Sequence, residues 1–139
     1  MRLQSAPAGR PEQIHVLQQY GIDVEINSWL ETGILQDPLE LGKKLHNGNF
    51  QAIVVEGDFL FKETFDVAPK IKFAGICRNS INSIDLDSAT SKGVIVVNTP
   101  QRNSVAVAEM TIALMLAITR RLTESDSYIR RGQWECTTS

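Results

Sequence analysis

Arg78, Asn79 and Ser80 head the polar run "RNSINS", close behind the apolar stretch "IKFAGI". A guanidinium followed by neighbouring backbone N–H groups can hold a carboxylate. The planar fork pairs with the oxygens, and the amides complete the anion's hydrogen bonds. Two further runs share this polar character: "EGD" at Glu56 to Asp58 and "TPQRNS" at Thr99 to Ser104, each following a β-branched stretch. The alternative reading of all three runs is that they are solvated turns.

The other residue types supply no catalytic set. His15 and His46 fall on predicted helices remote from these loops and read as surface residues rather than general bases. No Cys/His grouping has metal-ligand spacing, so no metal is expected. Nine glycines form no GxGxxG, the nearest two being Gly42 and Gly48, so the chain shows neither a dinucleotide fingerprint nor a phosphate loop. Glu12, Glu31, Glu40 and Asp66 read as helix-surface charges. These residues offer a binding rim without a catalytic engine.

The elements that must position this rim alternate along the chain. Helices are expected over Pro11–Tyr20, Pro38–His46, Lys62–Ala68 and Asp85–Gly93, the last capped by Asp85 or Ser83. Strands are expected at Ile22–Ile26, Gln51–Val55, Ile71–Ile76 and Val94–Asn98. Strand and helix repeat in turn, and the runs at Gln51 and Val94 are unbrokenly apolar. Such a pattern implies an open, doubly wound α/β fold, with a parallel sheet covered by helices on both faces. In such sheets ligands bind beyond the carboxyl ends of the strands, where the three polar runs fall. "MRLQSAP" is a weak candidate for the first strand: Arg2 to Ser5 is short and polar for a buried position. A last helix, Ser104 to Leu122, is apolar on almost every face and must be buried on all sides.

Bulk properties narrow the class further. A length of 139 residues fits one domain with a modest core, and a net charge of −2 shows no bias towards nucleic acid or anionic membrane. Val105 to Ile118 is too short for a membrane span, which needs roughly 18 apolar residues. Cys77 and Cys136 lie far apart without CxxC spacing, as expected in a reducing, cytoplasmic setting. Cys77 reads as a small core residue. "MRLQSAPAGR" has no apolar core of a secretory signal.

The stretch "FAGICRNSINSIDLDSATSKGVIVVNTPQRNSVAVAEMTIALMLAITRRL", with "GQW" at Gly132 to Trp134 and "APKIKFAGI" upstream, resembles the NAD-dependent D-2-hydroxyacid dehydrogenases. That family includes D-3-phosphoglycerate dehydrogenase. The resemblance covers Gln51 to Trp134 without a visible gap. It implies a flavodoxin-like substrate domain over 1–100. Residues 101–139 would hold a crossover helix at Ser104–Leu122 and the start of an NAD-binding domain. It also implies homo-oligomers through Val105–Leu122, NAD as cofactor and a small 2-hydroxy or 2-oxo acid as substrate.

Carried over residue by residue, the resemblance places the substrate carboxylate on Arg78, Asn79 and Ser80, with Asn79 towards the nicotinamide. The family's usual Gly-x-Gly is here Arg-Asn-Ser, closer to a subgroup with CRxxxxNxD, and the bulkier side chains would narrow the site. Asn103 would approach the substrate. Thr111 would lie beside the cofactor or bond its own backbone. Glu109 would serve packing and capping. The family's catalytic Arg, its acidic partner and its His have no counterpart in these 139 residues, so the isolated chain is expected to be inactive. The alternative is a non-catalytic dimerisation or regulatory module of the same fold.

Overall fold

The computed structural model describes residues 1–5, 11–27, 29 and 33–133. Glu31, Trp134 and Cys136, named above, lie outside the described residues. The chain divides into two units, Met1–Arg102 and Asn103–Ser139.

The first unit is built on five parallel strands: β1 (Arg2–Ser5), β2 (Asp23–Ile26), β3 (Ala52–Val55), β4 (Phe73–Ile76) and β5 (Ile95–Asn98), in the order β2-β1-β3-β4-β5. This is the flavodoxin-like order of a doubly wound sheet. Helix α1 (Pro11–Gln19) joins β1 to β2. The helices α2 (Pro38–Asn47), α3 (Lys62–Val67) and α4 (Leu86–Ser91) carry the chain from β2 through to β5. The step from β1 to β2 runs opposite to the later steps, so right-handed crossovers place α1 on one face and the other three helices on the other.

The weak first strand forms, and it is central. Leu3 pairs with Val24 on one side and Ala52 on the other. Its polar residues are accommodated individually. Arg2 lies over the Phe50 ring at 4.6 Å, donates to the Gly48 carbonyl at 2.7 Å and pairs with Glu25 at 3.0 Å. Gln4 is buried, and its Oε1 has no partner among the described residues.

The core fills the face under α2–α4, where Leu41, Leu45 and Phe65 pack on Ile53, Val55, Ala74 and Ile76. Asp37 starts α2 by accepting from the N–H groups of Leu39 and Glu40 at 3.0 and 3.2 Å, with Pro38 at the first helical position. After α2 the left-handed residue is Asn49 (φ 56°), whereas Gly48 is right-handed. Gly48 is needed for space instead, because a Cβ there would lie 2.2 Å from the Phe50 ring. Asp85, not Ser83, caps α4 through the Ser88 N–H at 3.0 Å.

The parallel sheet is flanked by helices, as expected, although one face of its edge strand stays open. On the face opposite the core cluster Leu3 and Ala52 are buried, yet Ile95 and Val97 of the edge strand β5 stay 65% and 48% exposed. The unbroken apolar run at Val94 therefore does not mark burial on both sides.

Asp66 links α3 to the end of α4, taking a hydrogen bond from Lys62 and an ion pair from Lys92 at 2.7 Å. These contacts, the Lys62 bond foremost, hold its carboxyl down at about 2. A carboxylate depressed in the folded state stabilises the fold above its unfolded value and loses that contribution as pH falls through the folded one. Acid titration of stability should therefore be steeper from about pH 4 to pH 2 in the native chain than in Asp66→Asn. High salt should shrink the difference, since the pair is exposed. Parallel denaturation curves of the two proteins at each pH check this, and identical slopes would rule it out.

The second unit holds α5 (Ser104–Thr119) and α6 (Leu122–Arg130). The helix expected to run to Leu122 thus stops at Thr119, and a second helix, not foreseen from the sequence, follows. Arg121 at φ 51° makes the break, and its guanidinium pairs with Glu124 at 2.6 Å. No residue of α5 is buried. Among the described residues no helix is long and apolar enough to cross a membrane.

Candidate functional site

Parallel pairing brings the carboxyl ends of β3, β4 and β5 to one edge of the first unit, and the three polar runs with them. The loop after β4 is fastened on both sides. Towards β5, the Asn98 side-chain amide donates to the Asn79 carbonyl at 2.8 Å, and the Thr99 N–H donates to the Ile76 carbonyl at 3.1 Å. Towards β3, the Leu60 N–H donates to the Ser83 carbonyl at 2.8 Å, and Leu60 returns the contact by accepting from the Asp85 N–H at 2.9 Å. Backbone bonds thus set the loop's shape and leave its side chains available.

Between the loops lies a cavity of about 160 Å3, lined by Glu56, Gly57 and Phe59 from the β3 side and by Arg78, Ser80, Asn82 and Ser83 from the β4 side. It is smaller than the roughly 300–1,000 Å3 of drug-sized sites and suits a small acid. A larger depression, about 360 Å3, is lined by Arg121, Glu124, Ser125, Tyr128 and Ile129. It runs along the exposed side of α6 and brings together no strand-end groups, so the smaller cavity is the better candidate.

Of the residues singled out in the sequence, Arg78 and Ser80 line this cavity, and Arg78 is exposed with no ion pair among the described residues. Asn79 uses its carbonyl to hold Asn98 and does not line the cavity. Asn103 and Thr111 belong to the second unit. Asn103 precedes α5 without making a side-chain capping bond. The Thr111 hydroxyl donates to the Val107 carbonyl at 2.7 Å, the backbone alternative raised above. Glu109 stands exposed beyond the first turn of α5, so it does not cap that helix. His15 and His46 are exposed on α1 and α2.

Sequence reasoning missed Arg102. Its Nη1 donates to the Cys77 carbonyl at 2.9 Å and to Glu56 Oε1 at 3.3 Å, tying the ends of β3 and β4 to the segment after β5. Nothing local marks it, because "TPQRNS" reads as a solvated turn until the strands align. Gly57 was passed over as well. A Cβ there would lie 2.9 Å from Leu35 and 3.3 Å from the Trp29 indole nitrogen, whose N–H is buried without a partner among the described residues. Asp58 is buried and accepts the Gln36 N–H at 3.0 Å, an anchoring role. Burial pushes the Cys77 thiol up, with nearby Arg102 opposing, so it stays protonated and a poor nucleophile.

A dinucleotide is not accommodated by these residues. Among the described residues no strand leads through a glycine-rich turn into a helix, the arrangement that cradles a pyrophosphate.

Comparison with known proteins agrees with this picture. Residues 4–133 match the family model of the D-isomer specific 2-hydroxyacid dehydrogenase catalytic domain. D-3-phosphoglycerate dehydrogenase of Methanocaldococcus jannaschii is 32% identical over 124 residues, covering 89% of this chain and 22% of that protein. Glyoxylate reductase of Thermofilum pendens is 41% identical over 78 residues, 56% of this chain and 23% of that one. The solved TT0316 protein of Thermus thermophilus superposes with a TM-score of 0.82 at 26% identity, over 98% of this chain and 42% of its own. The chain spans 22% to 33% of the length of the first three curated relatives it matches. With its matched span and strand order, the chain belongs to the D-isomer specific 2-hydroxyacid dehydrogenase family, as part of its catalytic domain.

Proposed function

We propose that these residues form the substrate-binding part of a cytoplasmic, NAD-dependent oxidoreductase that interconverts a small 2-hydroxy acid and its 2-oxo acid. The observation that carries the reading is Arg78, without an ion pair among the described residues, lining a small cavity at the strand ends of a chain matched to this family over residues 4–133. Arg78, with Asn79 and Ser80, holds the substrate carboxylate. Asn103 approaches the substrate, and Asn79 and Thr111 lie towards the nicotinamide. Residues 1–100 act as the substrate domain, and 101–139 as the crossover helix and the beginning of the cofactor domain. The nicotinamide supplies hydride chemistry when bound. Among the described residues there is neither a pyrophosphate cradle nor a histidine at the rim.

The test is binding rather than turnover. Oxalate, a stable mimic of a 2-oxo acid, is expected to bind the 139-residue chain and to shift the amide resonances of Arg78 to Ser80. Arg78→Ala should weaken it about 10- to 100-fold, the scale of a lost charge-assisted pair. Arg78→Lys should recover part of the loss, keeping the charge without the fork. Equal affinity in all three proteins would remove Arg78 from the site. NADH with hydroxypyruvate should show no turnover by this chain alone.

A second reading has its own support. Every apolar residue of α5 from Val105 to Leu116 is more than half exposed, apart from the small alanines, so the segment Val105–Leu122 has an apolar surface to offer a second copy. On this reading the chain works as an assembly module, with or without catalysis elsewhere.

A further inference from the structure

We infer that Arg102 keeps the Glu56 carboxylate from pairing with Arg78, and that this is what leaves Arg78 open to an anionic ligand. The inference rests on the reading of Arg78 given above, and it makes Arg102 a positioning residue.

Glu56 and Arg78 line the same cavity of about 160 Å3. An acid and a base lining so small a space attract one another, the more so because Glu56 is largely shielded from water. Yet they form no pair. Glu56, only 23% exposed, is occupied by Arg102 Nη1 at 3.3 Å, and the same nitrogen donates to the Cys77 carbonyl at 2.9 Å. With Glu56 compensated, the surplus positive charge at the rim is Arg78. Cys77 directly precedes Arg78, so the contact to its carbonyl also fixes where the Arg78 loop begins.

The backbone is bent to bring Arg102 there. Gln101, immediately before it, holds φ 60° in the turn after β5. A non-glycine residue in that region is strained and persists only where surrounding contacts over-determine it. Those contacts include the Thr99 N–H bonds to the Ile76 and Arg78 carbonyls at 3.1 and 3.3 Å. They and the Arg102 contacts fasten the turn to the same loop that carries Arg78.

Two readouts on the full 139-residue chain test this: the rate at which phenylglyoxal modifies Arg78, located by peptide mass spectrometry, and the affinity for oxalate. In Arg102→Gln, Glu56 is released to Arg78, so Arg78 reactivity should fall several-fold and oxalate affinity about tenfold. Adding Glu56→Gln should restore both, which a purely structural role of Arg102 would not. Arg102→Lys should stay near the native chain, since its ammonium still compensates Glu56. Arg102 is half exposed, and melting curves confirm that each variant is folded. Unchanged Arg78 reactivity in Arg102→Gln overturns the inference. So does failure of Glu56→Gln to restore it, which would mean that Arg102 acts only through the Cys77 carbonyl. If reactivity follows the expected pattern while the native chain binds no oxalate, the inference stands and the carboxylate reading of Arg78 fails.

Discussion

Phe65→Ala is expected to lower the stability of residues 1–102 by about 3–5 kcal/mol, the usual cost of deleting a buried aromatic ring. Phe65 is 2% exposed and sits in the cluster formed by α2, α3 and the inner face of the sheet. A domain of this size has roughly 5–15 kcal/mol in all, so the loss is a large share of it. Each kcal/mol moves the melting temperature by about 4–8 °C at this length, which places the variant about 12 °C or more below the native chain. The neighbourhood is poorly placed to collapse into the gap. Gly42 of α2 lies so close to α3 that an added Cβ would be 3.0 Å from the Thr64 backbone, and the two helices have little room to move closer. Phe61, 36% exposed and in tilted contact with the Phe59 ring, provides the contrast, since Phe61→Ala should cost under about 1 kcal/mol. Circular dichroism melts of both variants decide the matter, and a loss below about 1 kcal/mol for Phe65→Ala would contradict the packing described.

The second large effect concerns α5. The native chain should associate with rising concentration, and Leu114→Glu should leave it monomeric. Val107, Met110, Leu114 and Ile118 recur at helical spacing and are 54% to 77% exposed, with Met115 flanking them. Val105, Ile112 and Leu116 form another apolar strip on the far side of the same helix. A helix with no polar face is not a stable surface in water, and contiguous apolar patches of several hundred Å2 mark contact sites. A two-fold pairing lets the same strip meet itself. A carboxylate at its centre would then be buried twice over without a partner, a severe penalty for association. Size-exclusion chromatography with light scattering from micromolar to millimolar chain reads the outcome. A native chain that stays monomeric throughout would show that α5 does not pair with itself.

Much of this was legible from local chemistry. Hydrophobic periodicity gave the four later strands and the first four helices within a few residues, because burial against a sheet imposes a repeat of 2 or 3.6 on the residues themselves. Asp85, one of two caps left open with Ser83, announced its helix, because an orphan N–H group needs an acceptor a few residues away in sequence. The polar runs after three strands pointed to one rim, because parallel strands put all their carboxyl ends on the same side.

What the sequence determined by itself was therefore whatever depends on neighbours along the chain: element types, helix caps, and the apolar character of α5. The tertiary structure alone decided the rest. "RLQS" became a central strand because Phe50, Gly48 and Glu25, distant in sequence, receive Arg2. Val97 stayed exposed because β5 lies at the sheet's edge. The helix read to Leu122 ended at Thr119 instead, with Arg121 in a left-handed backbone that neither glycine nor proline announces. Arg102 acquired a role only when its guanidinium met Glu56, 46 positions away, and the carbonyl of Cys77, 25 away. Contacts across such separations depend on which strands lie side by side, and local spacing carries no record of that.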